Sequence, residues 1–595
     1  MYFKLTKTRS TPVLQLVRSY RDQENKPRQK ILLSLGSANI PKDLWKQIAE
    51  ELDNRLSGII TMFSPSKEVE IWVEQLMKML IKKEDVFEPV QNNNITINPK
   101  DISHSDTTEL GPLLPIIKAW NDLHFPSILS DVGFNPQQIK HAGLSIISKL
   151  LDPCSENNLH AMIKTTSFED LFGNSIRSVT KDYFYRIADL LYKHKESIEL
   201  ALRQRECALF NLKQTIVLYD LTNTYFEGEC KRNLKAKRGT SKEKRFDAPL
   251  LSIGLVLDSE GFIIRHDLFD GNSHDNNNLL SMIHKLHDKK SGCKAPLIVL
   301  DSGLASEKNL AQLKEKGFDY IVAGKRSKRL AYTEEFSSLP FKAVKGREGK
   351  NPVKVAIKDE KDERIVICYS LEREAKEKAI FIRAERCYLE DLKKLSNRLE
   401  TKKLTKAKTV QEALERLPER HPRVARHYQV KFNEKEMSLS WSSKDEKHEA
   451  AIRAAGYYCL RSSRKDLDDQ TIWNLYTALT RVESGFRTLT SHLGLRPVYH
   501  HREDRCDSHV FVTVLAYRLL HYIEYMLKSR VDTRSWCTIR RLLKTHAYTT
   551  TTLLTTNGRQ LYLRVPGIPE KEQRQIYELL GVKYKNLPRR RLGLN

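Results

Sequence analysis

Apolar and polar positions along this chain follow two periods, and the most informative stretch is residues 215–228, TIVLYDLTNTYFEG. Four consecutive apolar residues, Ile216, Val217, Leu218 and Tyr219, predict a short, fully buried strand, too short for a helix, that ends in Asp220. The pattern recurs at residues 296–302, PLIVLDS, where residues 297–300 predict a second buried strand ending in Asp301. A helical segment at 306–316 and a further apolar stretch at 320–323 follow it. Between the two aspartates, residues 250–257 and 262–269 flank a turn and predict a hairpin. Residues 472–495 instead show helical spacing, with Ile472, Leu475, Leu479, Val482, Phe486, Leu489 and Leu493 on one stripe. Tyr476, Glu483, Arg487 and Thr490 lie off that stripe, on one face of a continuous helix.

Elsewhere the pattern is coarser. Residues 13–17 and 31–35, separated by a polar run, predict an N-terminal hairpin, and residues 41–56 and 67–83 predict helices. Residues 85–105 read as a linker, and helical spacing dominates from 110 to about 207. Asp220 and Asp301 stand 81 positions apart, but Glu483 comes a further 182 later, more than one connection needs. That gap predicts an inserted domain at about 327–466. Its strand candidates are 353–357, 364–369, 379–382 and 437–441, interrupted by a charged helical stretch at 389–417. Residues 510–526 predict the last core helix. The C-terminal region gives a helix at 536–546, a threonine-rich turn and strand at 548–565, a helix at 571–580 and a basic tail that lies on a polyanion or is disordered.

Composition narrows the partners. The 595 residues carry 101 Lys and Arg against 75 Asp and Glu, a formal net charge of +26, which calls for a polyanion. Neither a long uncharged apolar run nor a secretory signal stands out, since Arg518 ends the longest late apolar run, so a membrane is not expected. Nine cysteines without a C-x-x-C pair fit a reducing compartment and argue against a thiolate zinc site. Five histidines between 492 and 521 show no metal-ligand spacing. Residues 230–245, CKRNLKAKRGTSKEKR, place eight basic residues in sixteen beside the first aspartate, so Lys235, Lys237 and Arg238 are candidate phosphate contacts.

A lone strand-end aspartate usually caps a turn, and Glu483 with Arg487 is an ordinary i,i+4 pair on a solvated helix. Two buried strands each delivering an aspartate to one sheet edge change the odds. Such carboxylates repel unless a cation neutralises them, and oxygen-only ligands favour magnesium or manganese over zinc.

The motifs YDLTNTYFEG, GLVLDSEGFIIRHDLFDGNSHD, LIVLDSGLASEKNL and YTALTRVESGFRTLTSHLGLRPVYHHR occur in the order found in DDE transposases of bacterial insertion sequences. They most resemble the branch called insertion-sequence family four, whose glutamate helix carries Tyr, Arg, Glu and Lys; here those positions are Tyr476, Leu479, Glu483 and Thr490. The resemblance implies an α/β fold: an RNase H-like mixed-sheet core interrupted by a β-rich insertion domain, behind a hairpin-plus-helical N-terminal region. The implied division is 1–100 and 101–212 for DNA binding, 213–326 and 467–530 for the core, 327–466 for the insertion and 531–595 for a basic C-terminal region. It implies Asp220, Asp301 and Glu483 as catalytic ligands of two Mg²⁺ (or Mn²⁺) ions. Tyr476, Arg487, Thr490 and the insertion's Trp441 would contact DNA, Trp441 by stacking on an extruded base, although a sheet-packing tryptophan is commoner. Gly271, Asn272 and Asp275 match the family's GN-x-x-D signature, with Asp275 at the entry to a helix at 279–287. The implied activity is cleavage at the element's terminal inverted repeats and strand transfer to target DNA, by a homodimer in the synaptic complex, in a bacterial cytoplasm beside the nucleoid. An RNase H-like nuclease without strand transfer, or a domesticated DNA-binding protein, remains the alternative.

Overall fold

The computed structural model describes residues 1–7, 12–21, 27–36, 38–56, 65–83, 101–153, 156–173, 180–212, 215–239, 245–273, 279, 282, 295–304, 306–325, 328–344, 351–554 and 560–594. The chain divides into two compact units. One comprises Met1–Asn211, Thr224–Ala236 and Arg487–Asn595, the other Leu212–Asn223 and Lys237–Phe486. Of the linker predicted at 85–105, residues 85–100 lie outside the described residues, as do Asp275 and most of the helix predicted at 279–287, while residues 103–105 begin the strand Ser103–Glu109.

The first unit opens with three antiparallel strands, Tyr2–Lys7, Pro12–Arg21 and Pro27–Ser34. Their alternation buries Leu14, Leu16 and Leu33 against Ile48, Ala49 and Leu52 of helix Trp45–Leu56 and Val69, Val73, Leu76 and Leu80 of helix Lys67–Lys83. Arg18 and the terminal amine both reach Asp53. Further along, Asn135 caps helix Pro136–Leu151 in a reciprocal box with Gln138, with Pro136 at the first helical position. Helix Glu503–Lys528 is apolar nearly all round and packs on helices Lys181–Lys193, Pro136–Leu151 and Leu113–Asp122. It is long and apolar enough to cross a membrane, but 78% of its apolar window is buried in the protein, as in the core helix of a large domain. The basic tail does not trail free: Arg590–Leu594 pairs with Gln560–Pro566 at one edge of a four-stranded antiparallel sheet completed by Ala547–Leu554 and Ser103–Glu109.

The second unit is built on a nine-stranded mixed sheet. One end runs in the order Ile263–Asp270, Leu250–Asp258, Ile216–Tyr225, Leu297–Leu300, Tyr320–Ala323. The last three are parallel, and the first two form the predicted antiparallel hairpin. Tyr457–Ser462 then pairs antiparallel with Tyr320–Ala323 and carries the sheet on through Arg364–Tyr369, Val353–Asp359 and Lys342–Val344. The inserted strands thus extend the sheet of the two aspartates, where a separate β domain was expected. The remainder of the insertion, helices Leu371–Glu400 and Ala407–Arg420 with the hairpin Tyr428–Asn433 and Ser438–Ser443, has its own apolar cluster around Tyr388, Leu392 and Val410.

Residues 379–382, predicted as a strand, lie inside helix Leu371–Glu400. The apolar run AIFI is too short to set its own period. Ser370 caps the helix, Glu372 and Glu374 complement its first turn, and strong helix formers flank the run on both sides.

Gly271 gains a physical reason. A Cβ there would stand 1.9 Å from the Leu250 carbonyl oxygen and 2.7 Å from that of Lys237, two residues joined by a backbone bridge. Gly271→Ala is expected to cost ~1–3 kcal/mol of overpacking and to shift the basic segment leading to Gly239. Urea unfolding and limited proteolysis at Lys237 and Arg238 would read both effects, and an unchanged midpoint would refute the account.

Candidate active site

Parallel pairing sets the two aspartates. Ile216 lies opposite Leu297, and the register runs in step to Tyr219 opposite Leu300, so Asp220 and Asp301 are the next residues on neighbouring strands. Adjacent strands sit ~4.8 Å apart. Val217, Tyr219, Ile298, Leu300, Tyr320 and Val322 pack into one apolar cluster with Leu310 and Leu313 of helix Glu307–Glu315. Alternation puts Asp220 and Asp301 on the opposite face. The Asp220 carboxylate accepts from the Leu221 amide at 2.8 Å, and Asp301 is exposed at the strand end.

The predicted helix over 472–495 is broken. Asp468 caps helix Asp469–Thr477, the chain turns at Ala478, helix Leu479–Arg487 follows, and Thr488–His492 closes as a π-helical turn. Ile472 and Trp473 are buried as the first helix packs on strands Leu297–Leu300, Tyr320–Ala323 and Tyr457–Ser462. Trp473 donates to the Tyr458 hydroxyl at 2.9 Å, and Arg373 lies over the Tyr458 ring. Glu483 is exposed on the second helix. Arg481, two residues earlier, reaches Glu260 in the turn of the Leu250–Asp270 hairpin at 3.4 Å.

Tyr476 lies on the first of these helices, half-buried. Burial first, then the Asp301 carboxylate and, more weakly, Glu483, push its phenol up to about 12 against the opposing pull of Arg373. The hydroxyl therefore stays protonated, a neutral hydrogen-bond donor.

Other candidates fall differently. Thr490 is buried at 6% exposure and donates to the Arg487 carbonyl, so it does not present itself to a ligand as an α-helical face would; the π-helical turn alters the angular step. Arg487 is exposed. Lys235 pairs with Asp507 at 2.5 Å and Glu503 at 3.1 Å. Lys237 and Arg238 are exposed. Trp441 packs half-buried against the helical cluster of the insertion, opposite Val430 in its hairpin, the commoner role for a tryptophan.

Sequence reasoning missed a second constellation, in the first unit. Glu156 Oε1 lies 3.2 Å from His509 Nδ1, and Glu156 Oε2 lies 3.3 Å from His500 Nε2. Burial alone would raise the Glu156 carboxyl, but the two imidazoles outweigh it and hold it well below the usual carboxylate range. Burial depresses His509 to about 4, so its ring is neutral at physiological pH. Adjacent His500 and His501 were the available signal, but their partner is more than three hundred residues away.

A family model described as the transposase DDE domain matches residues 211–519, over half of the chain. The chain therefore belongs to the DDE transposases, and it is an enzyme acting on DNA. A second model, the IS1634 family transposase N-terminal domain, matches residues 3–65 and makes it an insertion-sequence transposase of the IS1634 type. Among solved structures, a piggyBac transposase synaptic complex with hairpin DNA is similar at 10% identity and a TM-score of 0.30, covering 68% of this chain and 79% of that one. No curated protein matches the chain.

Proposed function

We propose that Asp220, Asp301 and Glu483 are the catalytic carboxylates of an RNase H-like core that cuts DNA at the ends of an insertion sequence and joins the freed end to target DNA. The observation that carries this reading is the in-step pairing of the two aspartate strands. The strand order, an antiparallel hairpin followed by three parallel strands, supports the core assignment.

The donor set is three carboxylates and suits Mg²⁺ or Mn²⁺. Divalent ions held there would neutralise the carboxylates and stabilise charge on the oxygens of the scissile phosphate. Asp220 is restrained by its bond from the Leu221 amide, and Glu483 by the tether from Arg481 to Glu260. Tyr476 donates a hydrogen bond to the DNA backbone, and exposed Arg487 pairs with a phosphate. Two element ends must be brought together, so the working form is a homodimer, acting beside the nucleoid.

Incubating the protein with its element's terminal DNA and Mg²⁺, then mapping nicks and joined products, tests this reading. Nicks without joined strands would leave a nuclease, and neither would leave a DNA-binding protein. Phosphate contact also makes affinity fall steeply with salt. Lys237→Ala with Arg238→Ala should flatten the log–log salt dependence by up to roughly two units. Lys235→Ala should barely change it, because that ammonium is held by Asp507 and Glu503. Equal effects from all three residues would refute the distinction.

A further inference from the structure

The cluster Glu156, His500 and His509 takes no part in the chemistry proposed for the acidic site. Its three ligand atoms all lie within 4.8 Å of one another. Glu156 and His509 are buried, and His500 is 15% exposed at its side chain. The 3.2 Å separation runs from Oε1 and the 3.3 Å separation from Oε2, so the carboxylate turns a different oxygen to each imidazole, each at close to the roughly 3.3 Å that separates two donors bound to one zinc at about 2.0 Å.

A hydrogen-bonded network alone leaves an unpaid cost. Glu156 Oε2 is buried without a hydrogen-bond partner, although His500 Nε2 is only 3.3 Å away. An ionised carboxylate oxygen without a hydrogen bond in the interior is rare, and a cation is one of the things that satisfies it. Lys149 acts electrostatically on both Glu156 and His509 and opposes a cation. An ammonium nearby does not supply the missing geometry at Oε2, which a metal placed between the three donors would.

We propose that Glu156, His500 and His509 form a binding site for a divalent transition-metal ion, zinc being the best match, with a fourth position open toward the exposed side of His500. Two imidazoles and one carboxylate favour zinc over magnesium, so this site and the all-carboxylate site select different ions.

The site has a structural consequence. Val498 exchanges backbone hydrogen bonds with Tyr225 and Glu227, and Cys230 Sγ stands 3.6 Å from His501 Nδ1. The segment carrying His500 is therefore a strap across residues 225–230, the continuation of the Asp220 strand. A metal joining His500 to Glu156 and to His509 on helix Glu503–Lys528 would lock that strap in place.

The test uses full-length protein without a histidine tag, analysed for metal by mass spectrometry after dialysis. About one zinc per chain is expected, falling at least tenfold in His500→Gln and in His509→Gln. A variant can also lose metal by unfolding, so the wild type is melted with a chelator, then with Zn²⁺ or Mg²⁺ restored. Chelation should lower the midpoint, and Zn²⁺ but not Mg²⁺ should restore it. Less than stoichiometric zinc with a midpoint that neither chelator nor Zn²⁺ moves would overturn the proposal. So would zinc retained equally by both histidine variants. Either failure leaves the cleavage assay with Mg²⁺ untouched, so the two readings stand or fall separately.

Discussion

Asp220→Asn, Asp301→Asn and Glu483→Gln are each expected to abolish Mg²⁺-dependent cleavage while leaving binding to the element's ends largely intact. Each change keeps the size of the side chain and removes one of the carboxylates proposed as metal ligands. Metal-ion stabilisation is worth several kcal/mol, and each ~1.4 kcal/mol is tenfold in rate, so a loss of roughly a thousandfold or more is the expected scale. A second, opposite effect should accompany it. Without metal, Asp220 and Asp301 are like charges at the ends of adjacent strands, so Asn at either position relieves repulsion and should leave the metal-free melting temperature equal or higher. A merely misfolded variant would lose activity and stability together. Near-normal cleavage by any of the three would show that the ligands lie elsewhere.

Much of this site was legible because it depends on short-range patterns. Four apolar residues and then an acid, twice, named both strands and both aspartates. The parallel register that sets them side by side is a long-range pairing that local pattern does not encode; the sequence placed the two aspartates only at one sheet edge. Glu483 was legible as a helical residue, but the break at Ala478 and the π-helical turn were not. Apolar spacing at 472–495 is equally compatible with one helix or two, so Thr490 was placed on a surface that it does not occupy. The insertion shows a similar limit. Its strands were found at 353–359 and 364–369, but only partner choice, through Tyr457–Ser462, decides whether they form their own sheet or extend another. Lys235 shows the limit for charge: a basic run displays its cations in sequence and conceals which are already neutralised by Asp507 and Glu503.

The largest stability effect is expected at Arg518. In the sequence this residue ends an apolar run, yet helix Glu503–Lys528 remains buried past it, and its side chain is 0% exposed. Its guanidinium meets Glu206 on helix Lys195–Phe210 at 2.7 Å, while Nε and Nη2 find no hydrogen-bond acceptor. Desolvating such a pair is costly, and one hydrogen bond repays only part of it. Arg518→Met alone would take the guanidinium away from the buried Glu206 carboxylate and should cost ~3–5 kcal/mol. Arg518→Met combined with Glu206→Leu removes both charges and keeps the volume filled. It should bring stability back to that of the wild type or above it by ~1–4 kcal/mol. Urea unfolding of the wild type, both single variants and the double variant closes the cycle, with the coupling energy as its readout. If the double variant is as unstable as Arg518→Met, the pair contributes net stability and the desolvation argument fails. If Arg518→Met is itself tolerated, Glu206 is satisfied by its other contacts or by water, and the desolvation argument fails for this pair.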